Sequence, residues 1–301
     1  MHRAIWLFVP SLVCSAALLA CETDVARGPG GSETAVVATA TGSAGGAKVG
    51  PFVQPPALPF DPNPLRLSGG APSVASGTLV YAPSQAALDG AKEGSSLVLH
   101  AAEVVSLEGS NIVVRSGRDP SYPVHPAYVL VPPSGTVRRG SPVLAPHRGF
   151  LAHGLVTSFK RTMVAVRYTD AGLGYGEQPL QLKDVAPQSG GLAPGNYAVY
   201  PEGESLRQAL LLSSSVQSDG KKRWLVLGYG SACALVDEDK LQPIPLQYAA
   251  KVGAVVSVAW LGTMVPAHVT SVDPSGVFTV RRARVGPAIW TGPGLVTPPP
   301  T

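Results

Sequence analysis

Charged and aromatic residues are both scarce in this chain of 301 residues: 14% are Asp, Glu, Lys or Arg, and 6% are Phe, Trp or Tyr. So few aromatics exclude a single large aromatic core, and a formal net charge of +4 is too mild to indicate a nucleic-acid partner. Gly (34) and Pro (30) are instead abundant and together exceed a fifth of the chain. This composition favours short strands and many turns, in several small domains or two ordinary ones.

Cysteine is nearly absent as well, with three residues at Cys14, Cys21 and Cys233. The first two lie in or beside an apolar N-terminal segment, which excludes a disulfide framework. Cys233 stands on an apolar run between two alanines, where a small core residue is the more common role and a nucleophile is the alternative.

Motifs of catalysis and metal binding are also missing. The chain holds no G-x-S-x-G nucleophile elbow and no H-E-x-x-H zinc motif, and "GLGYGE" lacks the third glycine of a dinucleotide loop. His147 and His153 lie six residues apart with no cysteine nearby. The sequence therefore predicts a protein without enzyme activity, cofactor or metal site.

An apolar run occurs at the N-terminus. Residues 1–20 have a basic start followed by "AIWLFVPSLVCSAALLA". The run is short for a membrane-spanning helix and ends in small residues, a pattern typical of a signal peptide.

The end of this run, Leu18-Leu19-Ala20-Cys21, resembles the lipobox of bacterial lipoproteins. The resemblance implies that residues 1–20 are removed and that Cys21 becomes the lipid-bearing first residue. Several acyl chains at one residue anchor a protein stably to a membrane. We therefore expect a cell-envelope protein on the periplasmic or surface face, with Glu22 favouring the outer over the inner membrane. The alternative is an ordinary secretory signal that ends in a chance cysteine.

The next segment, 21–74, is rich in Gly, Ala, Ser, Thr and Pro and has no period of 2 or 3.6. Such a segment cannot bury enough apolar surface to offset its ordering entropy. It predicts a disordered tether, although "PFVQPPALPF" within it can also pack against the first folded part.

Four hairpin segments share one pattern further along the chain. Each has a small residue, Val or Leu two places on, Ser two places after that, a polar turn, and then an alternating apolar strand. The segments are "AEVVSLEGSNIVVR" (102–115), "GLVTSFKRTMVAVR" (154–167), "AHVTSVDPSGVFTVR" (267–281) and the divergent "ALLLSSSVQSDGKKRWLVLG" (209–228). Similar flanks predict four β repeats, at 75–135, 136–190, 191–249 and 250–301. An Ala-rich insertion in the first, "SQAALDGAKEGSS", predicts a short helical turn.

The repeats resemble the Tudor and Agenet members of the SH3-like barrel superfamily, most of all in "VVSVAWLGTMVPAHVTSVDPSGVFTVRR". The resemblance implies an all-β fold of tandem small SH3-like, Tudor-like barrels after the tether, packed as a rod or as two pairs. Closing a small sheet into a barrel removes exposed edges. Another small β architecture is the alternative.

The resemblance also implies ligand binding through aromatic side chains. Trp260 ends a first strand, where the family places an aromatic, whereas Val265 replaces a second one. Phe278 is in phase with Val280 and is expected in the core. Trp224 is out of phase with its leucine neighbours and is expected to face solvent or another barrel. The candidate ligand-binding residues are Trp260, Trp224, Tyr200, Tyr229, Tyr168 and Phe150, with Tyr81 near the same loops.

Arg115, Arg167 and Arg281 recur at the same outward strand end. They are candidate contacts to anionic envelope polymers or lipid headgroups. The alternative is that cations at exposed strands only prevent edge pairing.

These patterns together predict a lipid-anchored, non-enzymatic binding or scaffold protein. Its expected partners are the membrane and an envelope protein, peptide or glycan, with no nucleic acid because the chain is exported. An envelope hydrolase acting on cell wall or peptides, and a purely structural spacer, stay open.

Overall fold

The computed structural model describes residues 60–69, 74–170, 176–282 and 288–299. The described residues form nineteen strands and one four-residue helix, so the predicted all-β class is confirmed. None of the helices among them is long and apolar enough to cross a membrane. The predicted signal peptide, Cys21 and the predicted tether up to residue 59 lie outside the described residues.

The strands fall into four successive groups, which we call the first to fourth repeats. The first repeat has β1 (Leu79–Ala82), helix α1 (Gln85–Leu88), β2 (His100–Glu108), β3 (Asn111–Arg115) and β4 (Tyr122–Val124). The second has β5 (Pro142–His147), β6 (Phe150–Lys160), β7 (Met163–Tyr168), β8 (Glu177–Gln181) and β9 (Ala186–Pro187). The third has β10 (Tyr197–Glu202), β11 (Ser205–Val216), β12 (Lys222–Leu227), β13 (Cys233–Asp237) and β14 (Gln242–Pro243). The fourth has β15 (Val255–Trp260), β16 (Thr263–Val272), β17 (Phe278–Arg281), β18 (Ile289–Thr291) and β19 (Val296–Thr297).

Each repeat has the same antiparallel strand order. The first four strands pair in sequence order, and in the last three repeats a short fifth strand returns to pair with the first. In the first repeat the fifth position is a single bridge between Tyr81 and Leu130. One 3₁₀ turn precedes this closing segment in each of the first three repeats, at Pro126–Tyr128, Leu182–Asp184 and Glu238–Lys240. Helix α1 lies in the predicted insertion.

The repeated serine marks a β-bulge in the second strand of every repeat. The pairing register shifts between Val104 and Ser106 in β2, and at the corresponding places in the other three second strands. Those shifts lie at Val156/Ser158, Leu211/Ser213 and Val269/Ser271. A bulge bends its strand and increases its twist. The first half of each long strand therefore pairs with the first strand of its repeat, and the second half pairs with the third.

A glycine turn locks each bulge to the start of its repeat. Gly77, Gly140, Gly195 and Gly253 have φ of 83°, 81°, 85° and 88°. Each of these glycines donates its N–H to the carbonyl just before the bulge, as Gly195 does to Leu211 at 2.8 Å. A positive φ at this place in the turn favours glycine. The same local chemistry thus starts all four repeats.

Alanine at Gly195 should destabilise the protein more than alanine at Gly253. Both changes impose an unfavourable φ, at a cost of about 1–2 kcal/mol. A Cβ at Gly195 would also lie 2.5 Å from Leu144 Cδ1, whereas nothing lies within 4 Å of a Cβ at Gly253. Overpacking of this kind adds about 1–3 kcal/mol. Urea unfolding should therefore give a loss of about 2–5 kcal/mol for Gly195→Ala and about 1–2 kcal/mol for Gly253→Ala. Equal losses would contradict the close packing of the second and third repeats.

The four repeats join into two antiparallel sheets. Pairing of His100 with Phe150 connects the first and second repeats into a nine-stranded sheet, and pairing of Arg207 with Thr263 connects the third and fourth into a ten-stranded sheet. The two sheets have the same strand order. The first and second repeats therefore form one module, and the third and fourth repeats form a second module of the same kind.

The expected closed barrels are not found. Among the described strands, the fourth strand of each repeat pairs in its sheet with the third strand alone, and no ladder returns it to the first strand. The bulge bends the second strand of each repeat, but it does not close the sheet. The described strands thus form two open antiparallel sheets.

Each repeat contributes a hydrophobic core, and the first and third repeats share one. Their joint cluster contains Tyr81 and Leu130 of the first repeat together with Leu212 and Leu225 of the third. Separate clusters fill the second, third and fourth repeats. The fourth includes Phe278, which is 1% exposed, as its phase predicted.

Part of the predicted tether is ordered against the first repeat. Leu67 is buried in the shared cluster, and Phe60 and Leu65 pack on it. The Asn63 side chain accepts a hydrogen bond from the Leu67 N–H at 2.9 Å, which closes a local turn. The prediction of disorder over 21–74 is therefore wrong for residues 60–69, because this stretch supplies apolar side chains that the first repeat buries.

Candidate functional site

A cavity of about 390 Å³ lies where residues of all four repeats meet. Its walls include Leu99 of the first repeat, Phe150 of the second, Tyr229 of the third and Leu261 of the fourth. Clefts at the junction of several packed elements are common ligand sites. This cavity is the candidate functional site.

Exposed apolar side chains surround the cavity. Tyr229 is 64% exposed, Leu261 58% and Phe150 42%, and Val98 is exposed beside them. We call these four residues the apolar rim. Single exposed apolar residues are ordinary, but a group of them around one cleft is typical of a binding surface.

Tight hairpin turns position the rim. Leu261 and Gly262 both have positive φ, as a two-residue type I′ turn requires, and Arg148 and Gly149 form the same turn in the second repeat. The Gly262 carbonyl accepts a hydrogen bond from the Gln208 N–H of the third repeat at 2.9 Å. A Cβ at Gly262 would lie 2.6 Å from Tyr229 Cβ. The turn is thus pressed against the residue that carries the most exposed rim ring.

A buried histidine forms part of the cavity wall. His153 in β6 has a side chain that is 4% exposed. Its Nδ1 lies 3.1 Å from Asp170 Oδ2, and its Nε2 lies 2.7 Å from the Gly195 carbonyl oxygen of the third repeat. The His153 N–H also donates to Asp170 Oδ2, and the Tyr197 ring lies 4.6 Å from the imidazole. This cluster joins the second and third repeats.

The surroundings of His153 favour its charged form. Burial lowers the pKa of His153, but the Asp170 carboxylate and the Gly195 carbonyl outweigh burial and leave that pKa above its ordinary value. Burial, and then the negative charge of Asp170, raise the pKa of Tyr197 well above its ordinary value. The raised pKa of His153 favours the imidazolium form beside Asp170, and the raised pKa of Tyr197 keeps its phenol neutral at neutral pH.

Two of the predicted ligand-binding aromatics lie together at the cavity, namely Phe150 and Tyr229. Tyr200 and Trp260 are half-buried in the third and fourth repeats, and neither lines this cavity. The Arg282 guanidinium covers the Trp260 ring at 4.6 Å from the centroid. The structure thus separates the candidate aromatics instead of collecting them in one cage.

Tyr81 and Tyr168 are core residues. They are 1% and 2% exposed, respectively. The Tyr168 hydroxyl donates to the Pro146 carbonyl at 2.6 Å, and burial raises the pKa of Tyr168 to about 12. A buried phenol that is held by its own repeat offers no accessible face to a ligand.

The expectation that Trp224 faces solvent or another barrel is wrong. Trp224 is 3% exposed and lies in the core of the third repeat with Leu211 and Val226, while its indole N–H donates to Glu238 at 2.8 Å. Leu225 and Leu227 point the other way, into the cluster shared with the first repeat. Side chains along β12 alternate between two faces as predicted, but both faces are buried.

The three repeated arginines do not form one basic face. Arg115 lies 3.4 Å from Glu103, and Arg167 contacts both Glu177 and Asp273. Asp273 belongs to the fourth repeat, so Arg167 bridges two repeats. Arg281 is exposed opposite His268. Neutralised or separated cations are weak anion sites, which favours the alternative of protected strand edges.

The remaining candidate reactive groups are poorly placed for catalysis. Cys233 is 1% exposed, as expected of a core residue, and burial raises the pKa of its thiol. His147 packs against the Tyr168 ring at 4.6 Å. Within the described residues no group of three His, Cys, Asp or Glu side chains could hold a metal ion.

Sequence reasoning missed Asp170, Tyr197 and the Gly195 carbonyl as partners of His153. The hairpin register held a signal for Asp170, because Gly154 pairs with Tyr168 and the Thr169 N–H donates to the His153 carbonyl. Continuing that register places Asp170 beside His153. Tyr197 and the Gly195 carbonyl reach His153 only because the second and third repeats pack together, and such packing produces no local pattern in the sequence.

No protein-family profile matches the chain, and no curated protein matches it in sequence.

Proposed function

We propose that this protein is a lipid-anchored binding or scaffold protein of the cell envelope that holds its ligand at the apolar rim. The observation that carries the proposal is the convergence of exposed apolar side chains from all four repeats on one cavity. The proposed ligand is an envelope protein, peptide or glycan that inserts an apolar or ring-shaped group. Aromatic rims suit such ligands because they offer large contact area at a low entropic cost.

We propose further that each repeat is a variant of the SH3-like fold. The support is the common strand order, in which a fifth strand returns to the first, together with the strongly bent second strand. The 3₁₀ turn before the closing segment in three repeats agrees with this assignment.

Cys21 is the proposed anchor, with the outer membrane favoured over the inner.

The geometry at His153 favours a binder over a hydrolase. Both ring nitrogens face acceptors, so neither is free to take a proton from a nucleophile. A spacer without a ligand would have no reason to place an exposed apolar residue from each of the four repeats around one cavity. Alanine replacement of His147, His153 and Cys233 separates the hydrolase, which would lose activity without unfolding.

Capture from envelope fractions tests the binding function. The full-length protein should retain a discrete partner, and the double variant Phe150→Ser/Tyr229→Ser should bind it at least about thirtyfold more weakly. That loss corresponds to about 2 kcal/mol, the usual size of an anchor residue's effect. Because both side chains are exposed, circular dichroism should show that the variant stays folded.

The matched control is Leu107→Ser/Val216→Ser, since Leu107 is 49% and Val216 60% exposed and neither lines the cavity. This control should bind like the wild type. Equal weakening in both double variants would place binding elsewhere, and no capture by any form would support the spacer.

A further inference from the structure

The His153 cluster joins two repeats at the wall of the cavity. His153 belongs to β6 of the second repeat, and Asp170 follows β7 of the same repeat. The Gly195 carbonyl belongs to the glycine turn that starts the third repeat, and it lies 2.7 Å from His153 Nε2. Gln188 Nε2 makes a longer contact of 3.5 Å to the same carbonyl. The imidazole is therefore the main side-chain hydrogen-bond partner of this carbonyl.

The partners of His153 define its protonation state. A carboxylate oxygen and a backbone carbonyl oxygen only accept hydrogen bonds, while a neutral imidazole carries a single N–H. Both contacts are satisfied together only when Nδ1 and Nε2 are both protonated. Loss of either ring proton turns that nitrogen into an acceptor that faces an oxygen acceptor at hydrogen-bond distance, in a site where an unpaired polar group is costly.

The other titratable groups around His153 do not replace this charge. Asp170 supplies the negative charge, Tyr197 packs its ring on the imidazole, and Tyr229 lies on the exposed rim. Among the described residues that line the cavity there is no lysine or arginine. Within the described cavity wall, the positive charge opposite Asp170 therefore comes from His153.

We propose that protonated His153 is a pH-responsive clamp that fastens the second repeat to the third and keeps the cavity in its binding shape. The part of this inference that concerns ligand binding rests on the proposed function, whereas the clamp itself does not. Below the ordinary histidine pKa of about 6.5 the clamp is complete. As the pH rises through the raised folded-state pKa, the proton leaves, the Gly195 contact is lost and the two repeats are held less firmly.

The sign of the effect follows from proton linkage. A group with a raised folded-state pKa stabilises the protein fully below its unfolded-state pKa, and this contribution disappears as the pH rises through the folded-state pKa. Between those two values the folded protein holds one more proton than the unfolded chain. The unfolding equilibrium constant then rises by up to about tenfold per pH unit.

Urea unfolding of the full-length protein from about pH 6 to about pH 8.5 tests the clamp around the ordinary pKa. The wild type should lose stability across this range more steeply than His153→Gln, which has no charge to lose. The matched control is His268→Gln, because His268 is exposed on β16, and this variant should follow the wild type. Parallel curves for wild type and His153→Gln would overturn the proposal.

A second measurement requires no variant. In ¹⁵N-histidine-labelled full-length protein, one imidazole should keep protons on both ring nitrogens above the ordinary pKa of about 6.5. Loss of a ring proton from every histidine below that pH would overturn the clamp even if His153→Gln failed to fold.

Both measurements are made without ligand, so their results do not depend on the outcome of the capture experiment. If the clamp is confirmed, capture by the wild type should weaken from about pH 6 to about pH 8.5. Capture by His153→Gln should then be weak at both values. Unchanged capture by the wild type would limit the clamp to stability and overturn its role in binding.

Discussion

Replacing Leu212 with alanine should lower the free energy of unfolding by about 2–5 kcal/mol. Leu212 is the extra residue of the β11 bulge, and it is 1% exposed in the cluster shared by the first and third repeats. Beside it, the Ser213 hydroxyl donates to the Ala127 carbonyl of the first repeat at 2.7 Å. The extra bulge residue is exposed in the first and fourth repeats, whereas here it becomes a contact between repeats.

The equivalent position in the first repeat provides the control. Val105 is the extra residue of the β2 bulge and is 36% exposed. Val105→Ala should change stability by no more than about 0.5 kcal/mol, as surface substitutions usually do. Urea unfolding, followed by far-ultraviolet circular dichroism, measures both variants. Similar losses for the two would mean that the first and third repeats do not depend on their shared core.

Replacing Cys21 with serine should abolish lipid attachment. The anchor depends on a thioether at the cysteine of the Leu-Leu-Ala-Cys segment, and serine has no thiol. When the full-length chain is produced in a bacterial host with an alkyne-bearing fatty acid, the wild type should be labelled and should sediment with membranes. Cys21→Ser should carry no label, because several acyl chains on one residue are the proposed source of membrane affinity.

The matched control for the anchor is Cys14→Ser, since Cys14 lies within the apolar run and is the other cysteine of the N-terminal segment. Its label should equal that of the wild type. Label that persists in Cys21→Ser would contradict lipidation at this residue and favour an ordinary secretory signal.

The repeated hairpins were predictable because they depend on local chemistry. The sequence shows a hydrophobic period of two, polar turns and a serine at one fixed place in each hairpin. The structure adds that this serine directly follows a β-bulge. The helical turn in the insertion and the burial of Phe278 follow from equally local patterns.

The predictions from sequence failed where the repeats pack on each other. Trp224 and Leu225 alternate as in a half-buried strand, yet both faces are buried: Trp224 lies in the core of its own repeat, and the first repeat covers the face of Leu225. Residues 60–69 lack a periodic pattern but place Phe60 and Leu67 on the same cluster. His153 and Asp170 come together across a hairpin, while the Gly195 carbonyl arrives from another repeat. Such contacts are set by tertiary packing, which a single sequence does not display.

Site-specific crosslinking tests the central claim that the apolar rim binds a ligand. Tyr229 would be replaced by the photoreactive residue benzoylphenylalanine, with the same replacement at Val216 as the exposed reference. After illumination with envelope fractions, a discrete adduct should form at position 229 and should disappear when Phe150→Ser is added. Equal adducts at both positions, or none at position 229, would contradict the assignment of the cavity as the binding site.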